Sequence, residues 1–314
     1  MIFIKNKSQK SPSSFLVGLF FMLLISSVSA QNSFFVASDT LNKKRLNFVR
    51  VTGITGTALV LGNLSYLWYS EYETVPFHFF DDSKDWLSMD KIGHSITSYY
   101  GGCYGYQTLK WAGLSEKKSI WYGGLYGWSF LLGTELLDGV SSGWGASPAD
   151  LFANTVGATM FIAQQLGWKE QRFVLKFSYW PTKFAKYRPN LLGDSHWNRW
   201  LKDYNGQTYW LSANLSTFGI KGKIIPKWLN VAIGYSVDGL TGGSANKLYD
   251  SSGNILPIFE RKREWYLSLD VDFKRIKTKS KILKSILYTA SFIKIPFPAL
   301  GYTNGKFKFH YLHY

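Results

Sequence analysis

The period of hydrophobic and polar positions changes near residue 170. Upstream of that point, four stretches are poor in charge and rich in small and aromatic residues. Residues 51–70, 119–134 and 151–168 carry no charge, and residues 86–111 carry charge only near their ends. Their lengths and spacing predict four helices. The punctuation agrees. Gly113-Leu114-Ser115-Glu116 separates the second from the third, and a Gly- and Ser-rich run over residues 139–145 separates the third from the fourth. Ser147-Pro148-Ala149-Asp150 is a helix start: a Ser cap, Pro at the first helical position, and an acid in the first turn. Gly101-Gly102 and Gly123-Gly124 allow helix backbones to approach closely. The stretches sit at or just below the ~20 apolar residues that cross a bilayer. They are diluted by Thr, Ser, Gly, Asn and Gln, so a bundle that is buried or apposed to a membrane fits at least as well as four spans.

Downstream the period drops to two. Trp265, Leu267, Leu269, Val271 and Phe273 alternate with Tyr266, Ser268, Asp270, Asp272 and Lys274. Similar alternation marks strands around Phe173–Tyr179, Leu211, Val231 and Phe307. Each reads as a strand with one apolar and one polar face. Residues 281–295 read as an amphipathic helix that stops before Pro296. The fold class is therefore α+β: an N-terminal bundle of about four apolar helices, then an antiparallel β region. That region is a partial sheet or a small outer-membrane barrel. About five strands are legible, whereas bacterial barrels begin at about eight. The last alternation slips at Leu312, which puts Tyr314 out of phase.

Residues 1–30 read as a secretory signal. Lys5, Lys7 and Lys10 precede an apolar run over residues 15–28, and Val28-Ser29-Ala30 resembles a cleavage site. The expected domains are the signal (1–30), a helical domain (31–168) and the β region (169–314). The chain of 314 residues carries 36 Lys and Arg against 20 Asp and Glu, a charge of +16, which falls to +13 without the signal. A secretory address removes nucleic acid as a partner. Apolar content of 46% excludes a disordered chain, and a single cysteine excludes an intramolecular disulfide and a CxxC site. Aromatic residues make up 18% of the chain. Basic clusters at Lys43-Lys44-Arg45, Arg261-Lys262-Arg263 and residues 274–284 lie at element ends. They are solvated turns, or they face anionic lipid. Basic edges beside aromatic-rich apolar segments point to a membrane surface. The expected location is the outer membrane, facing or partly in the periplasm, after cleavage near Ala30. The expected partners are an outer-membrane protein complex and outer-membrane lipid or lipopolysaccharide.

The polar residues of the helical half are the site candidates. Asp90, Lys91 and His94 open the second helix, Glu135 and Asp138 close the third, and Asp150 and Asn154 open the fourth. Antiparallel crossings bring these three helix ends together, which predicts one polar cluster. Acids and a histidine among apolar residues are costly unless paired. Three readings are open: a hydrogen-bonded network locking the helix ends, a divalent metal held by His94 with Asp90 and Glu135, or acid–base chemistry with His94 as proton carrier. No nucleophile motif, phosphate loop or HExxH occurs. No catalytic residue is assigned and no cofactor is expected, a divalent metal being the alternative.

The order Asp90-Lys91-x-x-His94, Glu135-x-x-Asp138, Ser147-x-x-Asp150-x-x-x-Asn154-x-x-Gly157 resembles the YfiM-like family of periplasmic or outer-envelope proteins. The same skeleton is similar to the VanZ-like membrane family. The resemblance covers roughly residues 86–168. The segment Asp203-Tyr204-Asn205-Gly206-Gln207 and the β-rich tail look like the longer Bacteroidota members of the YfiM-like group. The resemblance implies an envelope address and a shared polar skeleton, and supplies no defined activity. A lipobox cysteine is missing, so lipoprotein anchoring is not implied. The inner-membrane location of VanZ-like proteins, which lack such a tail, is not implied either. The expected function is a non-enzymatic structural or accessory subunit of an outer-membrane complex for protein insertion or export. The alternatives are a metal- or histidine-dependent enzyme acting on envelope lipid or glycan, and a lipid-binding membrane protein.

Overall fold

Helix α1 (Lys43–Leu64) starts where the Asn42 side chain accepts from the Arg45 N–H, and it runs into a wider π turn at Ser65–Tyr69. The computed structural model describes residues 37–69, 72–220, 225–249 and 253–314. The expected signal segment and its cleavage point lie outside these residues. Helix α2 (Met89–Trp111) is followed by a π turn at Ser119–Gly123, then α3 (Tyr126–Gly139) and α4 (Pro148–Trp168). Ser147 caps α4 by accepting from the Asp150 N–H, with Pro148 in the first turn. The third helix differs from its expected bounds: it breaks near the Gly123-Gly124 pair and continues to Gly139. Among the described residues, no helix is long and apolar enough to cross a membrane.

Helices α2, α3 and α4 pack most closely, and α1 lies against them more loosely, with Leu46 its one buried residue. The close packing depends on missing side chains. A Cβ on Gly101 would stand 2.4 Å from the Gly127 Cα, and one on Gly157 would stand 2.1 Å from the Ser95 carbonyl oxygen.

The sheet has six antiparallel strands in sequence order. They are β1 (Phe173–Tyr179), β2 (Gln207–Asn214), β3 (Leu229–Asp238), β4 (Lys262–Val271), β5 (Phe297–Thr303) and β6 (Lys306–His313). Helix α5 (His196–Lys202) lies between β1 and β2, and α6 (Lys281–Thr289) between β4 and β5. The α+β class and the antiparallel sheet match the sequence pattern. Two details differ. The amphipathic helix ends at Thr289, with a 3₁₀ turn to Phe292, rather than reaching 295. β5 is a sixth strand, hidden in the sequence because its second face carries only Ala299 and Gly301 between apolar neighbours. Asn304 and Gly305, with φ of 48° and 78°, form the tight turn from β5 to β6; Asn-Gly is a strong hairpin signal.

The sheet is open rather than a closed barrel, and its two edges differ. The β1 edge is capped: the carbonyls of Phe173, Leu175 and Phe177 accept from Gln164 Nε2 (3.0 Å), Tyr100 OH (2.7 Å) and the Lys294 N–H (2.9 Å). Among the described residues, no strand pairs with the outer edge of β6.

One face of the sheet is apolar, covered by helices at Tyr209, Tyr235 and Val237 and open over the rest. On the open part, Leu211, Ile233, Trp265, Leu267, Leu300 and Phe309 are all at least two-fifths exposed. The opposite face is buried and mixes polar and small residues with Trp210 and Tyr266, which cluster with Ala232 and Ala299. Asn214, Asn230, Ser212, Ser268 and Asp270 lie inside with Lys176, which pairs with Asp270 at 2.8 Å. Ser212 donates to Asp270, and Asn230 donates to Ser212. Elsewhere α2 and α4 meet β1–β3. Met89, Ile96, Tyr99, Phe161, Val174, Tyr209, Tyr235 and Val237 form one buried cluster that crosses the expected 168/169 boundary.

Candidate functional site

Three left-handed, non-glycine residues precede α2: Trp86 (φ 51°), Leu87 (φ 52°) and Ser88 (φ 69°). Each costs about 1–2 kcal/mol relative to the ordinary helical region. Tertiary contacts hold them, since the Trp86 N–H donates to Gly243 and the Tyr235 hydroxyl donates to the Leu87 carbonyl. The turn starts α2 at Met89, three residues later than the pattern suggested, and aims its first turn at α4.

Asp90, Lys91 and His94 of α2 meet Asp150 and Asn154 of α4 and Glu135 at the end of α3. The Lys91 ammonium lies 2.7 Å from Asp82 Oδ2, 3.1 Å from Asp90 Oδ2 and 2.9 Å from Asp150 Oδ1. His94 Nδ1 is 3.1 Å from Asn154 Oδ1. His94 Nε2 is 3.8 Å from Asp90 Oδ1 and 3.9 Å from Asp150 Oδ1. Tyr204 donates to Asp90 Oδ1 at 2.9 Å. Glu135 accepts the Ser147 N–H at 2.9 Å, with its other oxygen 3.9 Å from His94 Nδ1. Asp138 stands apart, accepting from the Tyr69 hydroxyl at 2.6 Å.

Charge and burial set the protonation. Burial pushes the Glu135 carboxyl up to about 7; the Ser147 N–H opposes this and Asp150 adds to it. Burial, reinforced by Asp90, raises Asp150 to about 6. Burial would also raise Asp90, but His94, Lys91 and Tyr204 outweigh it and hold that carboxyl below its ordinary value. Burial would depress the His94 imidazolium, but Asp90, Asp150 and Glu135 outweigh it and hold its pKa above the ordinary histidine value.

All seven predicted residues therefore lie at the expected end of the helices, Asp138 least engaged with the others. Asp82, Ser147 and Tyr204 complete the cluster and were not among the expected site residues. Ser147 was legible as a cap. Tyr204 lies in a segment distant in sequence, and Asp82 in a loop without periodicity, so neither carried a signal. Asp90, His94 and Asp150 each offer one ligand atom, all within 4.8 Å of one another. The expected trio named Glu135 instead of Asp150. Glu135 faces Nδ1, the nitrogen in contact with Asn154, whereas Asp90 and Asp150 face Nε2. Ser95 and Ser98 donate to the backbone carbonyls of Ala153 and Asn154, and the Ser147 hydroxyl donates to Asp82 Oδ1. The cluster is reachable: the His94 and Asp90 side chains are 20% and 26% exposed. No family model, curated protein or solved structure matches the chain.

Proposed function

We propose that the chain is a structural or accessory subunit of an outer-membrane protein complex. One observation carries this reading: a sheet with an open apolar stretch on one face, polar groups gathered on its buried face, and one uncapped edge. Outward apolar positions with inward polar ones are the pattern of sheets that face lipid. Hydrocarbon cannot satisfy an open edge, since each unpaired backbone group there costs several kcal/mol. If the apolar face meets lipid, the β6 edge must find a strand elsewhere, and a neighbouring outer-membrane protein supplies one by strand addition. The capped β1 edge leaves β6 as the docking edge. Helix α6 supports contact with anionic headgroups, because Ile282, Leu283 and Ile286 are exposed beside exposed Lys277, Lys279 and Lys284.

Site-specific photo-crosslinking in intact outer membranes tests the proposal. A crosslinker at Lys308, on the β6 edge, is expected to trap one discrete protein adduct, and one at Leu267, on the lipid-facing side, to trap none. A detergent-extracted monomer that yields no adduct from Lys308 would sink the reading.

A further inference from the structure

We infer that Asp90, His94 and Asp150 form a binding site for one divalent cation of the zinc–manganese class. Four observations converge on it, none depending on the sheet or on the proposed partner.

The first is the direction of the ligand atoms. The Asn154 contact occupies His94 Nδ1 and leaves Nε2 facing Asp90 Oδ1 and Asp150 Oδ1. Fixing one ring nitrogen through a hydrogen bond is how proteins orient a metal-binding histidine. The second is the spacing. Distances of 3.8 and 3.9 Å are too long for hydrogen bonds. Two ligands on one tetrahedral zinc lie about 3.4 Å apart, so each carboxylate oxygen stands within about half an ångström of its ligand spacing from Nε2, and all three atoms lie within 4.8 Å of one another.

The third is an unsatisfied atom. Asp150 is 4% exposed, and its Oδ1 accepts no hydrogen bond. The Lys91 ammonium lies 2.9 Å from that oxygen and donates to Oδ2 at 3.0 Å, so Oδ1 has a charged neighbour but no aligned donor. Lys91 bridges Asp90 Oδ2 and both oxygens of Asp150 and so fixes the two carboxylates beside His94. The fourth is charge. Asp82, Asp90, Glu135 and Asp150 set four carboxyl groups around one ammonium, Lys91, and one imidazole, His94, and a dication offsets the acidic excess. One imidazole and two carboxylates are a hard-to-borderline donor set. Three protein ligands leave a coordination position for water or for an oxyanion of a ligand on the exposed side of His94 and Asp90.

The test is equilibrium dialysis of the purified full chain against Zn²⁺, with elemental analysis. About one ion per chain is expected. Affinity should fall by at least about tenfold in His94→Ala and in Asp150→Asn, and stay unchanged in His196→Ala, a surface control. Circular dichroism monitors the fold of each variant. If neither site variant folds, spin-echo spectroscopy of Mn²⁺ bound to the unmutated chain reads the nitrogen coupling of one imidazole directly. Substoichiometric Zn²⁺, equal affinity in folded site variants, or a Mn²⁺ spectrum without nitrogen coupling would each overturn the site. A crosslinking failure at Lys308 leaves this result untouched, and the reverse also holds.

Discussion

His94 and Glu135 show how individual residues in the cluster answer to their surroundings. Neither is fully exposed, and each lies within 4 Å of an opposite or like charge. In the metal-free chain, Glu135 retains its proton to about 7, against an ordinary value of 4.5. Between those values the folded state binds more protons than the unfolded one, so stability falls as pH rises. His94 acts in the same sense at higher pH, because its stabilisation is full below its ordinary value and fades as pH passes its raised one. Glu135→Gln keeps an acceptor for the Ser147 N–H and removes the carboxyl titration. The variant should match the parent near pH 4.5 and exceed it by about 1–3 kcal/mol near pH 8. Chemical denaturation at both pH values checks this, and equal slopes for parent and variant would refute it. The residues of the cluster were legible because charge is conspicuous among uncharged helices. Their pairings were not, since Asp90 and Asp150 look equivalent until Lys91 and Tyr204 are placed.

At the scale of elements, packing rather than propensity decides where glycine belongs. Gly157 and Gly167 both lie in α4. A Cβ at Gly157 would collide with the Ser95 carbonyl, whereas one at Gly167 meets nothing within 4 Å. Gly157→Val should destabilise the chain by at least about 2 kcal/mol. Gly167→Ala should stabilise it by about 0.5–1 kcal/mol, the ordinary helical gain. Thermal unfolding of the two variants separates them, and a similar loss in both would show that α2 and α4 are not in contact. β6 carries a comparable local rule. Phe297 pairs with His313 and Ala299 with His310, so three steps on β6 oppose two on β5. That bulge is the alternation slip at Leu312, and it brings both His310 and His313 beside Tyr266. The slip was visible in the sequence, but only a partner strand identifies it as an extra residue. β5 escaped notice because Ala299 and Gly301 are small rather than polar. They must be small, since a Cβ on Gly301 would come 2.9 Å from the Tyr266 ring.

The whole molecule turns on which face of the sheet is covered. Outward-facing Leu267 is half exposed, and its neighbours Ile233 and Leu300 are similarly open. Leu267→Lys should weaken membrane retention by about 2–4 kcal/mol if that face lies near the middle of the bilayer. Alkaline washing of membranes followed by immunoblotting reads the change, and full retention of the variant would count against lipid on this face. The alternation itself was plain in the sequence: β4 displays an apolar and a polar face whatever surrounds it. Period-two patterning sets which residues share a face, because successive side chains of a strand point to opposite sides. Charge-poor helical stretches with Ser147-Pro148 at a boundary likewise set the helix type and one helix start. Those properties are local, so the chain by itself determined them. The same pattern is silent about which face turns inward, since burial is a property of neighbours and not of the strand. Only tertiary structure placed Lys176 and Asp270 inside, left the outer edge of β6 without a partner strand among the described residues, and turned Asp150 rather than Glu135 toward His94 Nε2.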